Sequence, residues 1–108
     1  MPTSRHCFML PLNEGQGQRY DELHHSMDTH LLGTINDAGL RNYTLFRNGD
    51  LVIGYVEAEE DFLGCLARAE ASDTHAAWAA EFAGVFAERN PSGGGSGIKV
   101  IAEIWHLD

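Results

Sequence analysis

With 108 residues, 44% hydrophobic and 21% charged, the chain has the composition of an ordinary globular protein and the length for one core rather than two. A formal net charge of -9 without any cluster of Lys and Arg argues against a nucleic-acid or anionic-membrane surface, because such partners require phosphate-neutralising cations. Cys7 and Cys65 form no CxxC or zinc-type spacing, which fits a reducing compartment. The amino-terminal stretch lacks a signal-peptide pattern and no apolar run approaches the roughly 20 residues of a membrane span, so a cytoplasmic location is expected.

A first strand is expected from about Arg5 to Leu12, where His6, Phe8, Leu10 and Leu12 alternate with Cys7 and Met9. Cys7 reads as a buried structural thiol. From about Gln16 to Ala38 the apolar positions Tyr20, Leu23, Met27, Leu31 and Ile35 recur at three and four residues, which predicts one long helix ending at Gly39. "NYTLF" and "LVIGYVE" flank "RNGD", where Asn48-Gly49 suits a type I′ hairpin turn because both residues accept positive φ. "EAEEDFLGCLARAEA" and "DTHAAWAAEFAGVFAER" form a second helical layer in two pieces, with Phe62, Leu66, Trp78, Phe82 and Phe86 at helical spacing and Asp73 as the N-cap. "NPSGGGSG" reads as a mobile loop at about 90–97, and "IKVIAEIWHLD" as a closing strand.

The order β, α, β, β, split α, β predicts a single-domain ferredoxin-like α+β sandwich over residues 1–108, with helices on one face of an antiparallel sheet. Strands carrying Phe8, Leu45, Val52, Tyr55, Val100 and Trp105 would expose more apolar surface than a monomer usually does. A second copy, sheet against sheet, is the expected cover, so a homodimer is expected.

The chemistry concentrates in "YDELHHSMDTH", Tyr20 to His30. Residues four apart share a helix face, so Tyr20 and His24 point the same way, with Asp28 one turn further along. A histidine can give and take a proton at neutral pH and a tyrosine hydroxyl can relay one, which suits proton movement without redox chemistry. The bland alternative is a structural or solvated pair. A second alternative takes His24 and Asp28, with His30 or His6, as metal ligands, but His30 lies about 200° round the helix from Asp28 and no HExxH-like pattern supports it. His6, His75 and His106 read as surface or packing residues, and Trp78, Phe82 and Phe86 as core. "SGGGSG" lacks the Lys and the preceding strand of a phosphate loop.

Taken together, "RHCFML", "YDELHH", "DAGLRNYTLF", "LVIGYVE", "HAAWAAEF" and "AEIWHLD" resemble the L-rhamnose mutarotases, small dimeric α/β-barrel proteins that interconvert the α and β anomers of a pyranose. The resemblance implies an isomerase of carbohydrate metabolism with a monosaccharide substrate and no metal or nucleotide cofactor. It assigns His24 as acid/base with Tyr20 beside it, and places Tyr43 and Trp78 in the same pocket. Family members usually read Trp-Pro-Glu where this chain has Asp28-Thr29-His30, and carry a second tryptophan where it has Ala79. Asp28 is accordingly counted among the substrate-binding residues. The fold hosts many chemistries. An isomerase, lyase or monooxygenase acting on a non-sugar ligand and a non-catalytic small-molecule binding module both remain open.

Overall fold

The computed structural model describes residues 3–86 and 98–108. Its elements run β1 (Ser4–Pro11), α1 (Gly17–His25), α2 (Thr29–Asp37), β2 (Leu40–Asn48), β3 (Leu51–Ala58), α3 (Phe62–Glu70), α4 (Asp73–Ala79) and β4 (Lys99–Ile101), with a 3-10 turn over Ala80–Phe82. All strand pairs are antiparallel, and the strand order is β2-β3-β1-β4. This is the expected ferredoxin-like sandwich, except that both helices of the βαββαβ pattern are split, not the second alone.

Period-2 alternation sorts the strands into two faces. Phe8 and Leu10 of β1 and Val52, Val56 and Ala58 of β3 are buried beneath the helices. One cluster gathers Phe8, Leu40, Val56, Phe62 and Cys65, and the other gathers Leu10, Leu12, Tyr20, Leu23, Val52, Phe82 and Val85. Each buried side chain of this size contributes about 1.5–3 kcal/mol before ordering entropy is counted, so this face holds the helices to the sheet. Gly54 sits opposite Phe8, where an added Cβ would lie 2.2 Å from the ring. The bare backbone there is what lets Phe8 lie across β3.

The continuous helix predicted over 16–38 is broken at Ser26–Asp28. Ser26 Oγ donates back to the Leu23 carbonyl at 3.1 Å, and extended Asp28 (φ -89°, ψ 170°) accepts from the Leu31 amide at 2.8 Å. These local bonds satisfy groups that a continuous helix would have paired internally, so the polar residues override an unbroken apolar periodicity. Gly39, with φ 98°, ends α2 as expected.

Strand β2 carries a bulge that the sequence did not announce. Between Arg41 and Thr44 the register with β3 shifts, and Asn42 adopts φ 48°, a left-handed conformation that asparagine tolerates. The extra residue turns Tyr43 and Leu45 to the same face as Leu40, towards the helices. The hairpin forms, but Asn48 pairs with Leu51 and the two loop residues are Gly49 and Asp50. Only Gly49 (φ 60°) takes positive φ, at the first central position, which is the type II′ pattern in place of I′.

Ser72, rather than Asp73, caps α4, accepting from the His75 amide at 3.0 Å. The aromatic run leaves helical geometry after Phe82, and Phe86 instead bridges Leu12. The closing strand is confined to three residues. The predicted mobile loop lies outside the described residues.

Phe8, Leu45 and Val52, expected to contribute to the uncovered sheet face, lie on its covered side. The other face carries half-exposed Cys7 together with Phe46 (60% exposed), Ile53 and Ile101. The deeply buried thiol is Cys65. Beyond β4, Ile104, Trp105 and Leu107 are exposed, and Glu103 pairs with Arg5 at 3.0 Å. No helix among the described residues is long and apolar enough to cross a membrane.

Candidate functional site

Between the helices and the inner sheet face lies a cavity of about 510 Å³, with an adjoining one of about 320 Å³. His24, Tyr43, Leu45, Leu66, His75 and Trp78 line both, while Tyr20, Glu70 and Phe82 line the larger one. The walls are mainly apolar, with a few convergent polar groups supplied by four elements, the usual build of a small-molecule site.

Helix α1 contributes Tyr20 and His24. Arg47 of β2 grips Asp21 with two bonds, at 2.8 and 2.6 Å, and its side chain passes over Gly17, where a Cβ would lie 2.3 Å from Nη1. This pair holds the Asp21 carboxyl below its usual pKa and fixes α1 against the sheet. The Tyr20 and His24 rings lie 4.3 Å apart, with Phe82 edge-on to both at 5.9 and 5.5 Å.

The imidazole of His24 lies 3.0 Å through Nδ1 from the Tyr20 carbonyl oxygen. A carbonyl only accepts, so Nδ1 carries the proton and donates it, and neutral His24 has its lone pair on Nε2. Burial holds its pKa below the usual value, against the opposing pull of the Tyr20 carbonyl and Asp21. The result is a neutral base at neutral pH with a fixed tautomer. Tyr20 is 5% exposed, and burial, assisted by the nearby Tyr43, pushes its hydroxyl pKa well above the ordinary range.

Tyr43 reaches the cavity because of the β2 bulge. Desolvation, with a contribution from Glu70, pushes its hydroxyl up to about 12 even though the residue as a whole remains 38% exposed, with its ring lining an open cavity. Neither phenol oxygen is hydrogen-bonded within the described residues. Unpaired polar atoms in a mainly apolar cavity mark places where a ligand's hydroxyls would bind.

Trp78 donates from Nε1 to the Leu23 carbonyl at 3.1 Å, tying α4 to α1. Its ring stands edge-on to His24 at 5.1 Å, to His75 at 5.5 Å and to Phe82 at 4.6 Å. Four residues expected at the site, Tyr20, His24, Tyr43 and Trp78, are thus brought together.

Asp28 is not with them. Its carboxylate is spent on capping α2, and it borders a separate depression with Ser26, Leu31, Thr74 and Glu81 behind Trp78. The break in the helix removes it from the face it was expected to share with His24. His30 lies 3.4 Å from Thr74 Oγ1, and His6 stacks on Phe62 at 4.8 Å. Among the described residues no three His, Cys, Asp or Glu side chains are arranged to hold a metal ion.

The cavity also holds residues that sequence reasoning missed. His75, read as a surface or packing residue, lines both cavities, as Glu70 lines the larger. The signal for His75 was its position three residues before Trp78, on one helix face.

The family model for L-rhamnose mutarotase matches residues 5–107. The chain belongs to the L-rhamnose mutarotase family. Its members are carbohydrate isomerase-type enzymes, so the family implies a sugar substrate and a mutarotase function. Among solved structures, the L-rhamnose mutarotase FA22100 from Formosa agariphila superposes with a TM-score of 0.77 at 20% identity, covering 97% of this chain and 99% of that one. The type-II polyketide cyclase tetracenomycin F2 cyclase from Streptomyces glaucescens follows at 0.66 and 17%, with the same coverage. Rv0793 from Mycobacterium tuberculosis gives 0.55 and 12% over the full length of both chains. At these identities the likenesses establish the fold that the mutarotase family shares with other proteins. No curated protein sequence matches.

Proposed function

We propose that the chain interconverts the α and β anomers of a deoxy-sugar pyranose, with L-rhamnose the first candidate, by acid-base catalysis at His24. The observation that carries this reading is the fixed tautomer of His24, whose ring shares a cavity with two phenol hydroxyls that have no hydrogen-bond partner among the described residues. Nε2 takes the proton of the anomeric hydroxyl as the bond from C1 to the ring oxygen breaks, and the ring oxygen is protonated from a neighbouring hydroxyl. The open aldehyde turns about the C1–C2 bond, and reclosure on its other face returns both protons. Tyr20 relays or positions a hydroxyl, Tyr43 supplies a second polar contact, and Trp78 offers an apolar platform to the sugar's C–H face. Spontaneous mutarotation already runs in minutes to hours, so about 10²–10⁴-fold from positioned acid-base groups is a sufficient task.

The test is anomer exchange on L-rhamnose and L-fucose by NMR saturation transfer, wild type beside His24→Ala. The wild type is expected to accelerate exchange and the variant to lose at least about 10²-fold of that acceleration. A variant as fast as the wild type would remove His24 from the chemistry.

A second reading, a ligand that is not a sugar, draws on the walls formed by Phe8, Leu10, Leu45, Phe82 and Ile98. Absence of exchange in the wild type on both sugars would favour it.

We further infer that two copies pair through the outer sheet face, where Phe46, Ile53 and Ile101 are exposed. A cytoplasmic setting accords with sugar metabolism.

A further inference from the structure

We propose that His75 is a second substrate-binding residue of this cavity, hydrogen-bonding a sugar hydroxyl on the α4 side while His24 works at the anomeric centre. The inference rests on the mutarotase reading and adds to it a specificity-determining contact.

His75 lines both cavities together with His24 and Tyr43. Its backbone is fixed in the first turn of α4 by the bond from its amide to Ser72 Oγ, so the ring has a defined origin. That ring is half-buried and stands edge-on to Trp78, yet neither of its nitrogens is hydrogen-bonded within the described residues. Of the other histidines, His25 also lacks a ring hydrogen-bond partner among the described residues but is exposed to solvent, and the rest are bonded. His6 is bonded to Ser4 and stacked on Phe62, His30 meets Thr74, and His106 meets Asp108.

The polar groups that share the larger cavity with His75 are Tyr20 and His24 of α1, Tyr43 of β2, Glu70 of α3 and Trp78 of its own helix. Burial lowers the His75 pKa, which keeps the ring neutral with one N–H donor and one acceptor nitrogen. A sugar hydroxyl, also donor and acceptor, is its complement. An imidazole with no hydrogen-bond partner among the described residues, facing the cavity, has both ring nitrogens free to exchange water for a polyol's hydroxyls.

The test compares His75→Phe and His75→Gln, with circular dichroism and thermal melting to confirm the fold. Phenylalanine keeps a ring on Trp78 but has no nitrogen, whereas glutamine keeps a donor and an acceptor without the ring. In saturation-transfer exchange on L-rhamnose, His75→Phe is expected to raise KM about 10-fold with kcat within about threefold, the size of one lost hydrogen bond. His75→Gln is expected to recover most of the loss. Wild-type KM in His75→Phe would show that the ring only packs, and would overturn the proposal. In parallel, the His75 ring Hε1 resonance of the wild type is expected to move as L-rhamnose is added, and no movement at saturation would also overturn it, whether or not the variants fold. Absence of exchange in the wild type would instead remove the mutarotase reading and, with it, the role assigned to His75.

Discussion

The base proposed at His24 rests on a bond within its own helix. The Tyr20 carbonyl fixes which nitrogen is bare, and burial among Tyr20, Trp78 and Phe82 decides its charge. Because burial disfavours the imidazolium, the folded-state pKa lies below the unfolded value of about 6.5. The neutral base is therefore present above about 6.5 and is lost only as pH falls through the lower, folded value. The acid limb of kcat/KM for anomer exchange is expected below pH 6.5, and thermal stability should decline over the same window, where the unfolded chain binds more protons than the folded one. Exchange rates and melting between pH 5 and 8 check both, and an acid limb at or above about 6.5 would show an imidazole whose charged form burial does not disfavour. The Tyr20–His24 pair was legible in the sequence because i, i+4 spacing is a property of the helix itself. His75 was only half legible, since its i, i+3 spacing from Trp78 marks a shared helix face but not that the face borders a space shared with α1 and β2.

At the scale of elements, the departures from the sequence reading have one cause, local hydrogen bonds that outweigh a longer-range pattern. Leu23, Leu31 and Ile35 keep a helical phase across Ser26–Asp28, so periodicity alone cannot see the break, although Ser26 and Asp28 are residue types that make one. In the hairpin, both Asn48-Gly49 and Gly49-Asp50 are acceptable loops, and the pairing of Asn48 with Leu51 selects the second. The β2 bulge has no comparable sequence signature beyond Asn42, yet it is what delivers Tyr43 to the cavity. Asp28 gives the prediction proper to this scale. As the N-cap of α2 it stabilises the fold, so Asp28→Ala is expected to cost about 1 kcal/mol in chemical denaturation. Its effect on kcat and KM should stay below about twofold. A large loss of exchange at unchanged stability would return Asp28 to the substrate site.

For the whole molecule, one covered and one uncovered sheet face is the feature that supports the proposed pairing of two copies. The helices occupy the inner face, and the outer face leaves Phe46, Ile53 and Ile101 in water beside a carboxyl-terminal stretch whose Ile104, Trp105 and Leu107 are largely exposed. A lasting interface of standard size buries roughly 800 Å² per partner, and a four-stranded sheet face flanked by such a tail has the shape and chemistry to supply it. The Arg5–Glu103 pair anchors the root of that tail to β1, so the tail and the sheet face present one continuous surface. Ile53 projects from β3, inside the sheet, while its strand neighbours Val52 and Gly54 are buried on the other side. A charge at position 53 would therefore be desolvated in a pair of copies but solvated in a single one. The wild type is expected to sediment at twice 11.9 kDa at micromolar concentration, and Ile53→Glu at the single-chain mass with its secondary structure intact. If the wild type sediments as one chain while accelerating anomer exchange, the outer face is not a pairing surface and the cavity works within a single copy.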